Sequence, residues 1–498
     1  MNPLKQALTG ASALIIIASS AALAADIPAS PRDLQFDELV FEPPSPSQFR
    51  HELSSGVPVF MAESHEFPLV TITFSFKGGE YMEPDGFAGL GAITGQMMRQ
   101  GGTTSVDPKE FDERVAFLAA NVSAGVSTTT SSASINCLTS NLDDAFALFL
   151  DMIQNPGFDA DRLDTLRGQA LEGIKTRNDN GIQIAVRELG YIMWGENHFE
   201  SRQATKASLE AATPEAMSAF HQRIFHPGNL MIAVTGDFEP TVMLAFLESK
   251  LAGWPTGEAA PAVPSPDHAY EPGVYYYEKE QNQVQVLIAH RGVTRDDPDS
   301  IDIEVMNDIL GGSGFTSRIT NRVRTEEGLA YTAGSMFQDR VEYPGVFMSY
   351  FFTKTPTTAL ATRLVFDEFD KIQKVEVTTD ELETIQNNLI ETFPRNFESK
   401  SAMMNLFLSD ERTGRDPGYW QRYRDAVRNV TTEDVQRAAN EHLNPGAAAI
   451  MVVGPWEEIK AGNVASEADP TRHATMDEFG NAKALPARDP ETLEPVSE

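Results

Sequence analysis

The chain has 498 residues, of which 41% are hydrophobic, so it is long enough for two or more domains with ordinary cores. Acidic side chains outnumber basic ones by 72 to 39, and the formal net charge is −33. A surface of this sign repels nucleic acid and anionic lipid headgroups, so neither is an expected partner. The one cysteine, Cys137, excludes an internal disulfide framework, and its alternating surroundings predict a small buried residue on a strand.

The first segment has the order of parts found in a secretory signal peptide. Lys5 supplies a positive charge, residues 13–23 are largely apolar, and Ala22 and Ala24 frame a small-x-small cleavage site. We therefore predict cleavage after Ala24 and a periplasmic or secreted mature protein. The apolar run is too short for a stable anchor and no later stretch is long enough to span a bilayer, so no membrane attachment is expected.

The first half of the mature chain mixes strand and helix patterns. Residues 70–76 alternate as a strand, and a helical pattern follows a glycine-containing turn. Residues 122–138 alternate again and predict a second strand, residues 142–153 have a helical period, and residues 230–235 form a last apolar strand. In the second half, residues 331–352 likewise predict one alternating strand, and a final apolar strand follows.

Matching motifs in the two halves indicate an internal duplication. The sequence TPEAM at residues 213–217 is echoed by TTEDV at 431–435. At the same offset, HPGN at 226–229 precedes one apolar strand and NPG at 444–446 precedes another, residues 448–453. A repeat of this length is a duplicated domain and not a solenoid.

Strands and helices mixed in this way predict an α+β fold, with two homologous α/β domains that face each other across a cavity. Each domain is expected to be a mainly antiparallel sheet with helices packed on one face. A Pro- and Ala-rich stretch predicts a linker, and a polar C-terminal stretch predicts a loosely ordered tail. The expected segments are a signal peptide (1–24), an N-terminal extension (25–45), a first domain (46–254), a linker (255–273), a second domain (274–465) and a flexible tail (466–498).

Three motifs, taken in order, resemble the pitrilysin/insulinase metallopeptidase family, which includes mitochondrial-processing-peptidase-like proteins. They are FHPGNL leading into TGDF (residues 225–238), LGGSGFTSR (310–318) and RTEEGLAY (324–331). The resemblance covers roughly residues 46–460 and includes the duplicated halves and the linker. It implies the two-domain fold of that family.

Active members of the family carry H-x-x-E-H on a helix of the first half, where two His on one face bind zinc and the Glu activates water. Aligned on Gly86 and Ala88, this chain has Gly89 and Ile93 at the His positions and Ala92 at the Glu position. None of these three side chains can bind a metal or move a proton. The alignment therefore predicts no zinc and no other cofactor in this chain, and it contradicts an autonomous zinc peptidase.

Other metal ligands are not expected either. A third zinc ligand of the family would fall near residues 170–174, where Glu172 is expected on a solvated helix face and Gly173 is the better match. Of the nine His residues, only His221 and His226 are close in sequence, and a spacing of five does not put both on one helix face.

The second-half motif is intact. Gly328 is expected to end a helix that begins near Thr316, and the turn that follows can bring Arg324 next to Tyr331. In the family, an Arg and a Tyr at these positions reach toward the zinc site and hydrogen-bond the substrate backbone and the developing oxyanion. Without the resemblance, the simpler interpretation is a salt bridge of Arg324 to a neighbouring Glu and a half-buried Tyr331. The glycine run at 311–314 lacks the Lys and Ser/Thr of a phosphate-binding loop, so it predicts a flexible turn.

The loss of one motif and the retention of the other imply a function. In some members of the family, one chain carries zinc and a second supplies the Arg/Tyr pair and closes the chamber. The resemblance implies that this chain is such a non-catalytic subunit of a periplasmic heteromeric zinc peptidase and is inactive alone. Its partner in a heterodimer is then a zinc-bearing homologous subunit, and the substrates are peptides or unfolded segments. The alternative is a catalytically inactive scaffold or peptide-binding protein, as in the core subunits of respiratory complexes that resemble this family.

Overall fold

Two six-stranded sheets organise the structure, a computed structural model in which residues 41–463 and 472–496 are described. The predicted signal peptide lies outside the described residues. The strands of the first half are β1 (Arg50–Glu52), β2 (Pro58–Glu63), β3 (Leu69–Lys77), β4 (Asn121–Val126), β5 (Thr130–Leu138) and β6 (Leu230–Gly236). Its helices are α1 (Leu90–Gln100), α2 (Pro108–Phe117), α3 (Leu142–Gln154), α4 (Ala160–Lys175), α5 (Gly181–Trp194), α6 (Lys206–Ala211), α7 (Pro214–Ile224) and α8 (Pro240–Leu251).

The second half repeats this arrangement. Its strands are β7 (Gly273–Glu278), β8 (Val284–Arg291), β9 (Ala330–Gln338), β10 (Val346–Thr353), β11 (Ala449–Gly454) and β12 (Ala482–Ala484). Its helices are α9 (Ser300–Asn307), α10 (Arg318–Thr320), α11 (Thr358–Lys374), α12 (Thr379–Thr392), α13 (Lys400–Thr413), α14 (Tyr419–Asn429), α15 (Thr432–His442) and α16 (Trp456–Lys460).

The strand orders of the two sheets correspond from the second strand onward. The first edge strand differs, because β1 is antiparallel to β2 whereas β12, from the C-terminal stretch, is parallel to β7. The first sheet has the order β1-β2-β6-β3-β5-β4 and the second has β12-β7-β11-β8-β10-β9. In each sheet the second and third strands run parallel, and the three pairings that follow, up to the edge strand, are antiparallel. The predicted α+β class with two homologous, mainly antiparallel domains is confirmed.

Two stretches that alternate in the sequence are hairpins and not single strands. Residues 122–138 divide into β4 and β5, and residues 331–352 divide into β9 and β10. The expectation of one strand in each place was wrong, because alternation continues through both arms of an antiparallel hairpin and does not reveal the turn between them. In each hairpin one arm lies at the edge of its sheet: β4 in the first sheet and β9 in the second.

The core of the first half lies between one face of its sheet and its own helices. Phe74 on β3 contacts Phe146 and Phe149 of α3 with ring centroids 6.1 and 5.3 Å apart. Alternate residues of β3 point to this face, which is why Ile72, Phe74 and Phe76 are all fully buried.

The opposite face of each sheet is covered by a helix from the other half. The second-half helix α13 packs on β2 and β6, where Met404 and Phe407 join a buried cluster with Phe60 and Met231. The first-half helix α5 packs on β8 and β11 of the second sheet. This reciprocal exchange joins the two halves through apolar cores.

The C-terminal stretch, for which the sequence predicts a loosely ordered tail, contributes defined structure over residues 472–496. Met476 is buried, and β12 adds to the edge of the second sheet parallel to β7. The chain then reaches α5, where Arg488 pairs with the buried Glu188 at 3.2 Å. A few buried anchors are enough to hold a mostly polar segment, and their spacing has no period to detect.

Among the residues described, no helix combines the length and apolar character that a bilayer crossing requires.

Candidate functional site

The helix that corresponds to the zinc motif is α1, and it offers no metal donor. Gly89 lies just before α1 with φ of +90°, Ala92 is half-buried in its first turn, and Ile93 is only 4% exposed within the core of the first half. Zinc ligands in proteins are thiolates, imidazoles and carboxylates, so these three positions do not fit a zinc ion.

The space beside Gly89 is filled by other parts of the first half. A Cβ atom placed on Gly89 would lie 2.9 Å from the Cβ atom of Ala204. The carboxylate of Glu83 instead accepts hydrogen bonds from the backbone N–H of Gly91 at 2.7 Å and of Gly89 at 3.3 Å. Arg202 lies 3.2 Å from the same carboxylate. A carboxylate at a helix N-terminus satisfies free N–H groups and complements the helix dipole.

Glu83 is a buried acid that the sequence analysis did not single out. Burial is the largest effect on this group and raises its pKa to about 7, while the hydrogen bonds from Gly91 and Gly89 and the charge of Arg202 act in the opposite direction. The only sequence signal was an acid a few residues before an expected helix start, which is a common capping arrangement.

Glu172, the other acid considered as a zinc ligand, lies on the exposed face of α4. Its carboxylate pairs with Lys175 at 2.7 Å, and its side chain is 74% exposed. The position therefore has the solvated surface environment that its sequence predicts.

Two groups of ligand-type side chains come together elsewhere in the described residues. One consists of the exposed Glu63, His65 and Glu239, and the other of Asp297, Asp299 and His442. Sequence reasoning missed both because their members come from separate segments. In the second group, His442 and Arg437 both contact Asp299, at 2.8 and 2.9 Å. Neither group involves α1.

Arg324 and Tyr331 lie side by side in the second half. Arg324 belongs to a π-helical turn (Asn321–Glu326) that continues α10, and Gly328, with φ of +63°, donates its N–H to the Arg324 carbonyl at 3.1 Å. The chain then enters β9, and the guanidinium carbon of Arg324 lies 4.5 Å from the centre of the Tyr331 ring. The turn predicted from Gly328 thus brings the two residues together.

A break in strand register directs Tyr331 outward. On β10, Phe352 pairs with Thr332 while Thr353 pairs with Ala330, so Tyr331 has no partner of its own. A bulge of this kind turns a side chain away from the regular alternation. Tyr331 is 75% exposed, which is unusual for a large ring on a strand.

Phe315 completes a stack that the sequence analysis did not foresee. Its ring centre lies 4.4 Å from the guanidinium carbon of Arg324, on a turn (Gly314–Thr316) that follows the glycine run. Phe315 is 65% exposed, so Arg324 lies between two exposed aromatic rings. The sequence signal for this residue was a phenylalanine directly after a glycine run.

The charged neighbours of Arg324 are engaged with other residues. Glu326 pairs with Arg322 at 2.8 Å, and Glu327 lies 3.2 Å from Arg322 and also pairs with Arg472. Within residues 41–463 and 472–496, no carboxylate lies within 4.0 Å of the Arg324 guanidinium. The simple salt-bridge interpretation of Arg324 does not describe this arrangement.

The remaining candidates have structural roles. Gly311 is required by close packing, since a Cβ atom there would lie 2.3 Å from Oγ of Ser335. Cys137 is buried on β5, and this burial raises the pKa of its thiol to about 11. His221 contacts the Ile153 carbonyl through Nε2 at 2.7 Å, and burial lowers its pKa to about 4. Nδ1 of His226 accepts the Gly228 N–H at 3.1 Å.

Comparison with known proteins gives matches to one family over most of the chain. Residues 59–205 match the family model described as insulinase (peptidase family M16), and residues 211–389 match that of the peptidase M16 inactive domain. A Helicobacter pylori relative described as "non-peptidase homolog YmxG" is 22% identical over 411 residues, which are 81% of this chain and 93% of that protein.

Solved structures agree with these matches. The crystal structure of a peptidase M16 inactive domain from Pseudomonas fluorescens has a TM-score of 0.73 and 25% sequence identity, over 82% of this chain and 97% of that one. The periplasmic protease PqqL from Escherichia coli has a TM-score of 0.69 and 17% identity, a likeness that concerns the fold alone. It covers 82% of this chain but 45% of PqqL.

Proposed function

This chain belongs to the insulinase family, peptidase family M16, and we propose that it is the non-catalytic subunit of a heteromeric zinc peptidase. In this proposal it presents Arg324 and Tyr331 to a peptide that a zinc-bearing homologous subunit hydrolyses. The observation that carries the proposal is the exposed Phe315–Arg324–Tyr331 stack, whose guanidinium has no carboxylate partner within 4.0 Å among the described residues.

The stack has the properties needed to contact a developing negative charge. Two aromatic faces hold the guanidinium in place, and cation–π contacts at exposed sites contribute about 0.5–1 kcal/mol each. Among the residues that the structure describes, no hydrogen bond engages the side-chain N–H donors of Arg324. The Tyr331 hydroxyl can donate a further hydrogen bond. Donors that are already oriented stabilise an oxyanion without a cost of reorganisation when the charge forms.

The zinc ion and the water-activating carboxylate must come from another chain in this scheme. Gly89, Ala92 and Ile93 supply neither, and Ala204 and Glu83 occupy the space around the start of α1.

We place the complex in the periplasm. The proposal combines the predicted signal peptide, with cleavage after Ala24, and the fold shared with PqqL, which is itself described as periplasmic. The substrates in this proposal are peptides or unfolded segments, because a chamber closed by two subunits selects by size.

The second candidate function is that of a scaffold or peptide-binding protein without any role in hydrolysis. The absence of zinc donors on α1 and the name of the relative YmxG are compatible with both functions. The two differ in whether Arg324 and Tyr331 affect turnover in the complex.

The test is reconstitution with the zinc-bearing homologue, sought first in the neighbouring reading frame. This chain alone is expected to leave peptides intact, and the mixture is expected to cleave them. Arg324→Ala and Tyr331→Phe should lower kcat by about 10²–10³, the usual effect of removing an oxyanion donor. Tyr331→Phe keeps the aromatic ring and removes only the hydroxyl, so it separates hydrogen bonding from stacking.

Arg322→Ala is the matched control, because Arg322 lies on the same turn but pairs with Glu326 and Glu327. This variant should cleave at close to the wild-type rate. Size-exclusion chromatography with light scattering establishes that each variant still assembles. If the Arg324 and Tyr331 variants assemble and cleave like the wild type, the scaffold function is the correct one.

A further inference from the structure

A cavity of about 360 Å³ lies in the second half, and none of the three residues of the Arg324 stack lines it. It opens between α9, α14, the end of β9 and the loop after β8. Four of its lining residues are aromatic: Phe337, Tyr419, Trp420 and Tyr423. The volume is within the range of small-ligand pockets, and aromatic walls with a few polar groups are typical of such sites.

Three carboxyl groups also line this cavity, from Glu304 and Asp308 near the end of α9 and from Asp339 just after β9. The Tyr423 hydroxyl donates a hydrogen bond to Glu304 at 2.8 Å. Burial raises the pKa of Glu304 to about 7 and that of Asp308 to about 6. In the part of the chain that the structure describes, neither carboxyl has a Lys, Arg or His nitrogen within 4.0 Å.

Two arginines of the cavity lining are already matched by acids of their own. Arg295 makes a two-pronged contact with Asp296, at 2.9 and 2.8 Å. Arg415 lies 3.3 Å from Asp410 and stacks 4.1 Å from the centre of the Tyr419 ring. The cavity lining therefore has more carboxyl groups than arginines left to balance them, although the charge of Arg415 still acts on Glu304.

We propose that this cavity binds an organic cation, namely the protonated amine or guanidinium of a Lys or Arg side chain in a peptide. The carboxyl groups of Glu304, Asp308 and Asp339 supply the charge, and the aromatic walls accept the alkyl stem and the face of the cation. An anionic ligand meets three acids here, and a neutral ligand does not favour the charged forms of Glu304 and Asp308, which burial disfavours. The site is independent of the proposed role of Arg324 and Tyr331.

A bare metal ion does not fit the same carboxyl groups. In residues 41–463 and 472–496, only two groups of three ligand-type side chains have all their ligand atoms within 4.8 Å of one another, and these three acids form neither. Their spread around an aromatic-walled space suits a larger cation that contacts them one by one.

The primary test is titration calorimetry of the full mature chain with Nα-acetyl-lysine N-methylamide. The matched probe is Nα-acetyl-norleucine N-methylamide, which has nearly the same shape and no charge. We expect the lysine probe to bind at least tenfold more tightly. Equal binding of the two probes, or no binding of the lysine probe at concentrations up to about 10 mM, overturns the proposal.

Two variants assign the binding to this cavity. Glu304→Gln and Asp308→Asn should each weaken binding of the lysine probe at least fivefold, whereas Glu326→Gln, on the surface beside Arg322, should not change it. Unchanged affinity in both cavity variants refutes the assignment. Circular dichroism checks the fold, and if a variant is unfolded the comparison of the two probes on the wild type still decides.

The pH dependence provides an independent measurement on the wild type. The charged or titratable groups of the cavity lining around Glu304 and Asp308 are Asp339, Arg295, Arg415, Tyr419 and Tyr423, and the two acids also act on each other. Because the two acids become charged as pH rises, affinity for the lysine probe should increase from pH 5.5 to pH 8. Binding that stays constant over this range contradicts the role of the two acids. Parallel titrations with butylamine and with a lysine-containing peptide distinguish recognition of a free amine from recognition of a peptide side chain.

Discussion

Rebuilding the zinc motif in this chain is a direct test of how the first half has changed. The triple variant Gly89→His, Ala92→Glu, Ile93→His restores H-x-x-E-H in the sequence. We expect it to bind no stoichiometric zinc and to unfold at a lower temperature than the wild type. The reason lies in the space around α1 and in its buried face.

The expected loss of stability follows from two of the three substituted positions. Gly89 has φ of +90° and lacks room for a Cβ atom beside Ala204, and left-handed backbone costs a non-glycine residue about 1–2 kcal/mol. Ile93 is 4% exposed, and removing a buried Ile side chain costs about 2–5 kcal/mol. Burying an imidazole without a partner adds about 1–3 kcal/mol. These effects together approach the whole stability of an ordinary protein, about 5–15 kcal/mol.

The assay combines elemental analysis with thermal unfolding. Ala92→Glu alone is the mild control, since Ala92 is only half-buried, and it should change the melting temperature little. The wild-type chain should also contain no stoichiometric zinc; any ion lost on His65→Asn belongs to the exposed group with Glu63 and Glu239. About one tightly bound zinc per chain in a stable triple variant, retained when His65 is replaced, would show that the start of α1 can still hold a zinc ion. That result would contradict the prediction.

Three further predictions address other parts of the chain. Because the pKa of Glu83 is raised to about 7 from an ordinary 4.5, the folded state holds a proton that the unfolded state releases, so its contribution to stability falls as pH rises from 4.5 to 7. Glu83→Gln should flatten this part of the pH profile of chemical unfolding, and an unchanged profile argues against burial as the dominant effect. Arg488→Ala should lower the free energy of unfolding by about 1.5–3 kcal/mol, because it removes hydrogen bonds to the charged Glu188, which keeps its buried contact with Arg187 at 2.9 Å. Lys483→Ala on the exposed β12 is the comparison. Mass spectrometry of the exported protein should give Ala25 as its first residue, and retention of residues 1–24 contradicts the signal-peptide prediction.

The sequence alone predicts the duplicated architecture and the contact between Arg324 and Tyr331. Both depend on local signals: apolar alternation in β3 and β6, repeated motifs in the two halves, and a glycine at position 328 that permits the turn between Arg324 and Tyr331. Such signals are read from neighbouring residues and do not require knowledge of tertiary contacts.

What the sequence could not reveal depends on segments that are distant along the chain. Arg488, for example, pairs with Glu188 across 300 residues. Burial of Glu83 likewise depends on Arg202 and on the start of α1. No periodic pattern marks contacts of this kind, so they become visible only in the folded structure.

The exchange of α5 and α13 bears on how a peptide chamber can form. If the two halves closed on a peptide by themselves, α13 would have to leave the apolar face where it meets Phe60 and Met231. Exposing Phe60, Met231, Met404 and Phe407 costs about 1.5–3 kcal/mol for each side chain, or about 6–12 kcal/mol in total. The second interface between the halves, where α5 covers β8 and β11 of the second sheet, adds a comparable free-energy cost. Such a cost is close to that of unfolding, so the two halves act as one rigid unit. If the Arg324 stack forms part of a peptide chamber, as proposed above, a second chain closes that chamber more readily than motion between the halves does.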